Sequence, residues 1–184
     1  VSMRGDVKEV NHFLAWFAEQ PYTHKIYIAG NHDWYFQNHP NEALMSQIHF
    51  WAKRGITYLE NDFVTIEGLK IYGSPMTPEF HAWAFNKERG PEIRRYWQMI
   101  PDDTDILITH GPPAGILDLC RGGNVGCDDL FQRVMEVQPK IHVFGHIHEG
   151  YGVTRLGETI CFNASVLDKN YRCTNEPHYL EIEN

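Results

Sequence analysis

Three short apolar runs in this chain, Lys25-Ile-Tyr-Ile-Ala29, Asp105-Ile-Leu-Ile-Thr109 and Lys140-Ile-His-Val-Phe144, each empty directly into a polar loop. The loops are Gly30-Asn31-His32-Asp33, His110-Gly111-Pro112-Pro113 and Gly145-His146-Ile147-His148. Apolar runs of this length, rich in β-branched residues and bounded by glycine or proline, read as strands buried on both faces. Sites in open α/β sheets form beyond the carboxyl ends of the strands, so three loops far apart in sequence are free to meet in space. They would bring together one asparagine and four histidines.

The segments between these runs carry helical spacing. Asp6 with Glu9 offers a capping-box-like start, and Val10, Phe13, Leu14 and Phe17 recur at helical intervals until Pro21. A second helix is expected from Asn41 to Arg54, with Leu44, Ile48 and Trp51 on one face and Gly55 as its stop. Two more are expected over Pro91–Ile100 and Asp128–Val137. Phe63–Ile66 and Lys70–Tyr72, joined through Glu67-Gly68, form a hairpin pattern. The tail from Gly150 reads as consecutive strands, at Tyr151–Thr154, Thr159–Phe162 and Tyr179–Ile182. The pattern is layered α/β.

Length and charge narrow the function classes. At 184 residues the chain is expected to form a single domain over residues 1–184. The formal net charge of −8 disfavours a cradle for long nucleic acid, and with it nuclease action on DNA. The longest apolar stretch, Phe13 to Ala18, is far too short to cross a membrane. Cys120, Cys127, Cys161 and Cys173 include no Cys-x-x-Cys pair and read as free thiols, with a structural zinc site a minor alternative. That usage suits a reducing compartment and a cytoplasmic location.

The loop residues carry a definite chemistry. Neutral imidazole is the commonest transition-metal ligand, and residues two apart in extended backbone point the same way, so His146 and His148 can address one metal cluster. Asn31 offers a carboxamide oxygen, while His32 beside Asp33 has the form of an acid held by a carboxylate. The reaction that most needs such a set is phosphoester hydrolysis at two divalent ions, with His32 protonating the leaving oxygen. Five unrelated polar turn residues would be the bland account of the same pattern.

At these residues the sequence resembles the calcineurin-like metallophosphoesterases, whose later motifs read Gly-Asn-His-Asp/Glu, a lone His, and Gly-His-x-His. The resemblance narrows to the metallophosphoesterase-domain-containing branch through Ile28-Ala-Gly-Asn-His, Gly73-Ser-Pro, Trp83-Ala-Phe-Asn86, Arg89-Gly90, Thr109-His-Gly-Pro-Pro113, Val125-Gly-Cys127, His142-Val-Phe-Gly145, Ile147-His-Glu-Gly-Tyr-Gly152 and Asn163-Ala-Ser165. It implies a four-layer fold of two central mixed β-sheets flanked by helices. It also implies hydrolysis of small phosphodiesters, cyclic nucleotides among them. Carried over residue by residue, Asn31, His110 and His146 match ligands of one metal, and His148 matches a ligand of the other. His32 matches the catalytic histidine, with Asp33 in support and Asn31 and His32 against the substrate. The implied ions are two divalent metals, Mn²⁺ first, with Fe, Mg or Zn as alternatives. Some vertebrate members are weakened by glycine at the position of His146, and histidine here favours an active site.

The resemblance also implies an Asp-x-His motif and a Gly-Asp motif ahead of the first helix, and neither is convincingly present. The usual spacing would put the Gly-Asp immediately before Val1, so the chain is expected to be the C-terminal majority of such a domain, or a catalytically impaired nucleotide-binding protein. Gly5-Asp6 fits the spacing worse, and Asp6 is better used as a helix cap. The other histidines, His12, His24, His39, His49, His81, His142 and His178, are expected in surface or satisfied-core roles, with His81 the exception most suited to stacking on a base. Arg121-Gly-Gly-Asn124 is expected to be a flexible loop with a phosphate contact as the alternative, and Asn163-Ala-Ser165 a turn near the site.

Overall fold

A computed structural model describes residues 1–39 and 42–182. Its first helix, α1 (Val7–Ala18), starts where the sequence expects. The Asp6 carboxylate accepts the Lys8 and Glu9 amide protons at 2.8 and 3.0 Å, and Glu9 reaches back to the Met3 and Arg4 amides. Donors that the first turn leaves orphaned are thus satisfied. Val10 and Leu14 are fully buried, and Phe13 and Phe17 pack on Tyr27 of β1 (Lys25–Tyr27).

The chain continues through α2 (Trp34–Asn38) and α3 (Glu42–Ala52). Then come β2 (Ile56–Tyr58), β3 (Asp62–Ile66), β4 (Leu69–Ser74), β5 (Thr77–Pro78), β6 (Asn86–Lys87) and α4 (Pro91–Trp97). The second half runs β7 (Ile106–Thr109), β8 (Leu119–Cys120), β9 (Gly123–Asn124), α5 (Asp128–Val137), β10 (Ile141–Phe144), a 3₁₀ turn at His148–Gly150, β11 (Gly152–Leu156) and β12 (Thr159–Asn163).

Two sheets carry the architecture. The larger is mixed and six-stranded, in the order β11-β12-β10-β7-β4-β3, with a parallel centre and antiparallel edges. The smaller is the parallel pair β1-β2. They meet at Gly73 of β4, where an added Cβ would lie 2.5 Å from Leu59 and 2.8 Å from Ile28, so only glycine allows this approach. Helices α1 and α3 cover the small sheet. On the opposite face of the large one, Tyr72 and Leu107 share a core with Trp97, Leu130 and Val134 of α4 and α5. The layers are helices, small sheet, large sheet, helices.

Some expectations need adjustment. Strand β1 ends at Tyr27 rather than Ala29, because among the described residues it pairs only with β2. Helix α3 is described from Glu42, and the expected start at Asn41 lies outside the described residues, as do the details of the Leu44 side chain; Gly55 stops it at φ 74°. Helix α4 gives way after Trp97 to tighter turns, Met99 to Tyr96 and Ile100 to Trp97, as the chain approaches Pro101. The expected strand Tyr179–Ile182 is irregular, with Tyr179 80% exposed, since its alternation meets no sheet edge.

Asp6→Ala should lower the unfolding free energy by about 1 kcal/mol, while Asp6→Ser keeps most of it. Urea melts with unchanged slope would register this, and an Asp6→Ala variant as stable as the parent would contradict the capping assignment.

Candidate metal and catalytic site

Parallel register aligns the carboxyl ends of β4, β7, β10 and β12, with Ser74 opposite Thr109 and Phe144 opposite Asn163. The loops that follow therefore open at one level, and the loop after β1 reaches them across the inter-sheet contact. Asn31, His32, His110, His146 and His148 all line one cavity of about 680 Å³. The three turns read from the sequence thus converge on one space.

The approach is tight. His110 Nε2 lies 2.9 Å from Asn31 Oδ1, and the His110 and His146 ring centroids are 4.7 Å apart. A Cβ on Gly30 would stand 2.6 Å from His110 Cε1, so the glycine is what admits the ring. Burial pushes the His110 imidazole well below its ordinary pKa, helped by the neighbouring His146. Burial likewise takes His146 down to about 4, with His148 and His32 adding repulsion. Both rings are neutral at physiological pH, the form that ligates metals. His146 also holds a left-handed φ of 67°, uncommon for a residue with a Cβ and typical of strain kept at functional sites.

His32 and His148 are each tied by Nδ1. His148 Nδ1 lies 3.0 Å from the Asp168 carbonyl, and His32 Nδ1 lies 3.1 Å from the Met3 carbonyl. A carbonyl only accepts, so Nδ1 carries a proton in both rings, and Nε2 is the nitrogen left without a hydrogen-bond partner among the described residues. Trp83 packs on His32 at 4.4 Å between centroids, and Tyr171 stands edge-on to His148 at 5.0 Å.

Asp33 does not hold His32, contrary to expectation. Its buried carboxylate accepts from the Gly30 amide at 2.7 Å, the Ser2 amide at 2.7 Å and the Ser2 hydroxyl at 2.6 Å, and it pairs with the Val1 amino group. It stiffens the Gly30–Asp33 turn, so its influence on His32 passes through the backbone. The role of orienting the imidazole falls to the Met3 carbonyl, a long-range contact that no local spacing signals.

The donor set fits divalent ions in kind: His110 and His146 are neutral imidazoles, Asn31 brings a carboxamide oxygen that now accepts from His110 Nε2, and His148 has an Nδ1 partner that fixes its ring and leaves Nε2 to the cavity. It is incomplete in number, because among the described residues no three His, Cys, Asp or Glu side chains form a metal cluster. Asp6 supplies no carboxylate there, being spent on α1. The four cysteines are free, as expected.

Other singled-out residues fall near the site. His81 lines the cavity beside Phe80. Arg121 lies in the β8-β9 hairpin and borders an adjoining cavity of about 440 Å³. The Asn163 amide donates to the Leu117 and Ile147 carbonyls, a structural turn behind His148. Ser165, Lys169 and Tyr171 also line the cavity that holds the four loop histidines. Of these, Lys169 and Tyr171 carried no sequence signal.

A family model for calcineurin-like phosphoesterases matches residues 3–150. Metallophosphoesterase domain-containing protein 1 of Homo sapiens is 40% identical over 194 residues, covering 95% of this chain and 60% of that protein. UPF0046 protein T07D4.2 of Caenorhabditis elegans is 37% identical over 199 residues, covering 95% of this chain and 50% of its own length. The chain thus spans about three fifths or less of these two relatives. Among solved structures, TT1561 of Thermus thermophilus superimposes with a TM-score of 0.55 at 14% identity, over 86% of this chain and 69% of that one. A likeness this distant in sequence speaks for the fold alone. With four fifths of its length under the family model and a relative at 40% identity, the chain belongs to the calcineurin-like phosphoesterase family, in its metallophosphoesterase-domain-containing branch.

Proposed function

We propose that this chain is the catalytic part of a metal-dependent phosphodiesterase acting on small phosphodiesters, cyclic nucleotides among them. The observation that carries the reading is the convergence of Asn31, His32, His110, His146 and His148 on one cavity. Asn31, His110 and His146 are the residues to hold one divalent ion, Mn²⁺ first, and His148 the residue to ligate a second. Bound there, the ions would supply an activated water and neutralise charge on the phosphoryl oxygens. His32 would act as general acid. Its Nδ1 proton is held by the Met3 carbonyl, so the protonated ring presents Nε2–H to the cavity and Trp83 fixes its plane. Asp33 keeps the turn that carries His32 and Asn31 in shape.

The acidic net charge of −8 supports small substrates over long nucleic acid. The four free thiols support a cytoplasmic setting, and no described helix is long and apolar enough to cross a membrane. The incomplete donor set favours one second reading, nucleotide binding without turnover. Calorimetry then shows nucleotide binding, and no product forms at any metal concentration.

A chromogenic phosphodiester with Mn²⁺ separates the two, since measurable turnover by the chain removes the binding-only reading. His32→Ala should lower kcat by about 10²-fold or more with metal content retained. Full activity in that variant would deprive His32 of its role. Gly30→Ala should drive the His110 ring off Asn31, costing about 1–3 kcal/mol of stability and weakening Mn²⁺ binding. Parental metal affinity in the Gly30→Ala variant would show that the ring has slack the geometry denies.

A further inference from the structure

Of the histidines, only His142 on β10 is wholly buried, at 0% exposure, and it lies outside the reaction cavity. Its Nε2 sits 2.8 Å from the Thr109 hydroxyl, and that hydroxyl sits 2.8 Å from the Gly111 carbonyl. Thr109 owns one hydroxyl proton, and a carbonyl only accepts, so the proton goes to Gly111. The imidazole must then bring its own proton on Nε2, which leaves Nδ1 bare. Nδ1 indeed has no partner among the described residues. An orphaned buried nitrogen costs stability that an apolar residue here would avoid, so the Nε2 contact is the feature that distinguishes histidine from a plain core residue. Burial takes this ring down to about 3, keeping it neutral with a single proton.

Thr109 and Gly111 flank His110, so the hydroxyl staples the peptide on either side of that ring. From the other strand, the Gly145 amide donates to the His110 carbonyl at 3.0 Å, tying the same point to the loop of His146. His110 has little room to shift, with Gly30 against one side of its ring and Asn31 Oδ1 at 2.9 Å.

We propose that His142 and Thr109 form a buried lock between β7 and β10 that positions His110 against His146, making both of them positioning residues for the metal site. The lock itself is a property of the metal-free chain. Its effect on turnover rests on the phosphodiesterase reading.

Paired substitutions test it. Thr109→Val removes the hydroxyl at constant shape and Thr109→Ser keeps it. His142→Leu removes the donor, whereas His142→Gln offers an amide N–H near the same position. In the metal-free chain, Thr109→Val and His142→Leu should move the ¹⁵N imidazole resonances of His110 and His146, and the Ser and Gln variants should leave them in place. With Mn²⁺ and a chromogenic phosphodiester, the first two should lose about tenfold in kcat at nearly constant KM, and the double variant should be no worse than either single one. Parental His110 and His146 resonances in Thr109→Val overturn the lock, as do losses that multiply in the double variant. If His142→Leu fails to fold, Thr109→Val alone decides. An inactive parent chain would sink the phosphodiesterase reading while the resonances still judge the lock.

Discussion

The site depends first on the register of the parallel ladder β4-β7-β10-β12. Side chains alternate faces along each strand, so a one-residue slip of β7 or β10 would turn Thr109 and His142 from the α4/α5 side toward the small sheet and rotate both histidine loops. The register is held by what lies on each face. Ile71, Ile106, Ile141 and Ile160 stand opposite one another across the four strands, and so do Tyr72, Leu107, His142 and Cys161 in the next row. The second row is buried throughout and the first is buried or half-buried, which fixes where the strands end, and the end fixes where the imidazoles begin.

The second dependence is steric. Two glycines let the small sheet come close: Gly73 admits Ile28 and Leu59, and Gly30 admits the His110 ring. The histidines then crowd together in a way that only neutral rings tolerate, which is why desolvation and mutual repulsion push His110 and His146 in the same direction. The left-handed turn at His146 is part of the same arrangement, kept in place by the Gly145 amide on the His110 carbonyl and the Ile147 amide on the Gly145 carbonyl. Packing energy from the core sustains that local strain.

Much of this was legible in the residues themselves. Strand-then-loop punctuation marked the three turns because glycine, proline and histidine break an apolar period abruptly. Asp6 and the bounds of α5 could be read because caps and amphipathic spacing are local. What failed was whatever depends on distant partners. Asp33 reads as a companion of His32 by adjacency, yet its oxygens are taken by Gly30 and Ser2. Tyr179–Ile182 alternates like a strand but finds no edge to join. Lys169 and Tyr171 enter the cavity through the packing of a loop after β12, which no spacing rule reports. The sequence puts His142 among surface or satisfied-core residues; the ring is buried but satisfied only at Nε2, and its tie to Thr109 crosses between strands and is invisible to local pattern.

On the proposed reading, a chosen few of the eleven histidines hold divalent ions and the others do not. Paramagnetic broadening by Mn²⁺ in a ¹H–¹⁵N spectrum of the imidazole rings tests it most directly. Substoichiometric Mn²⁺ should erase the His110, His146 and His148 signals while His12, His24 and His49 stay sharp. Broadening spread evenly over all the rings, or centred on histidines outside the cavity, would contradict it.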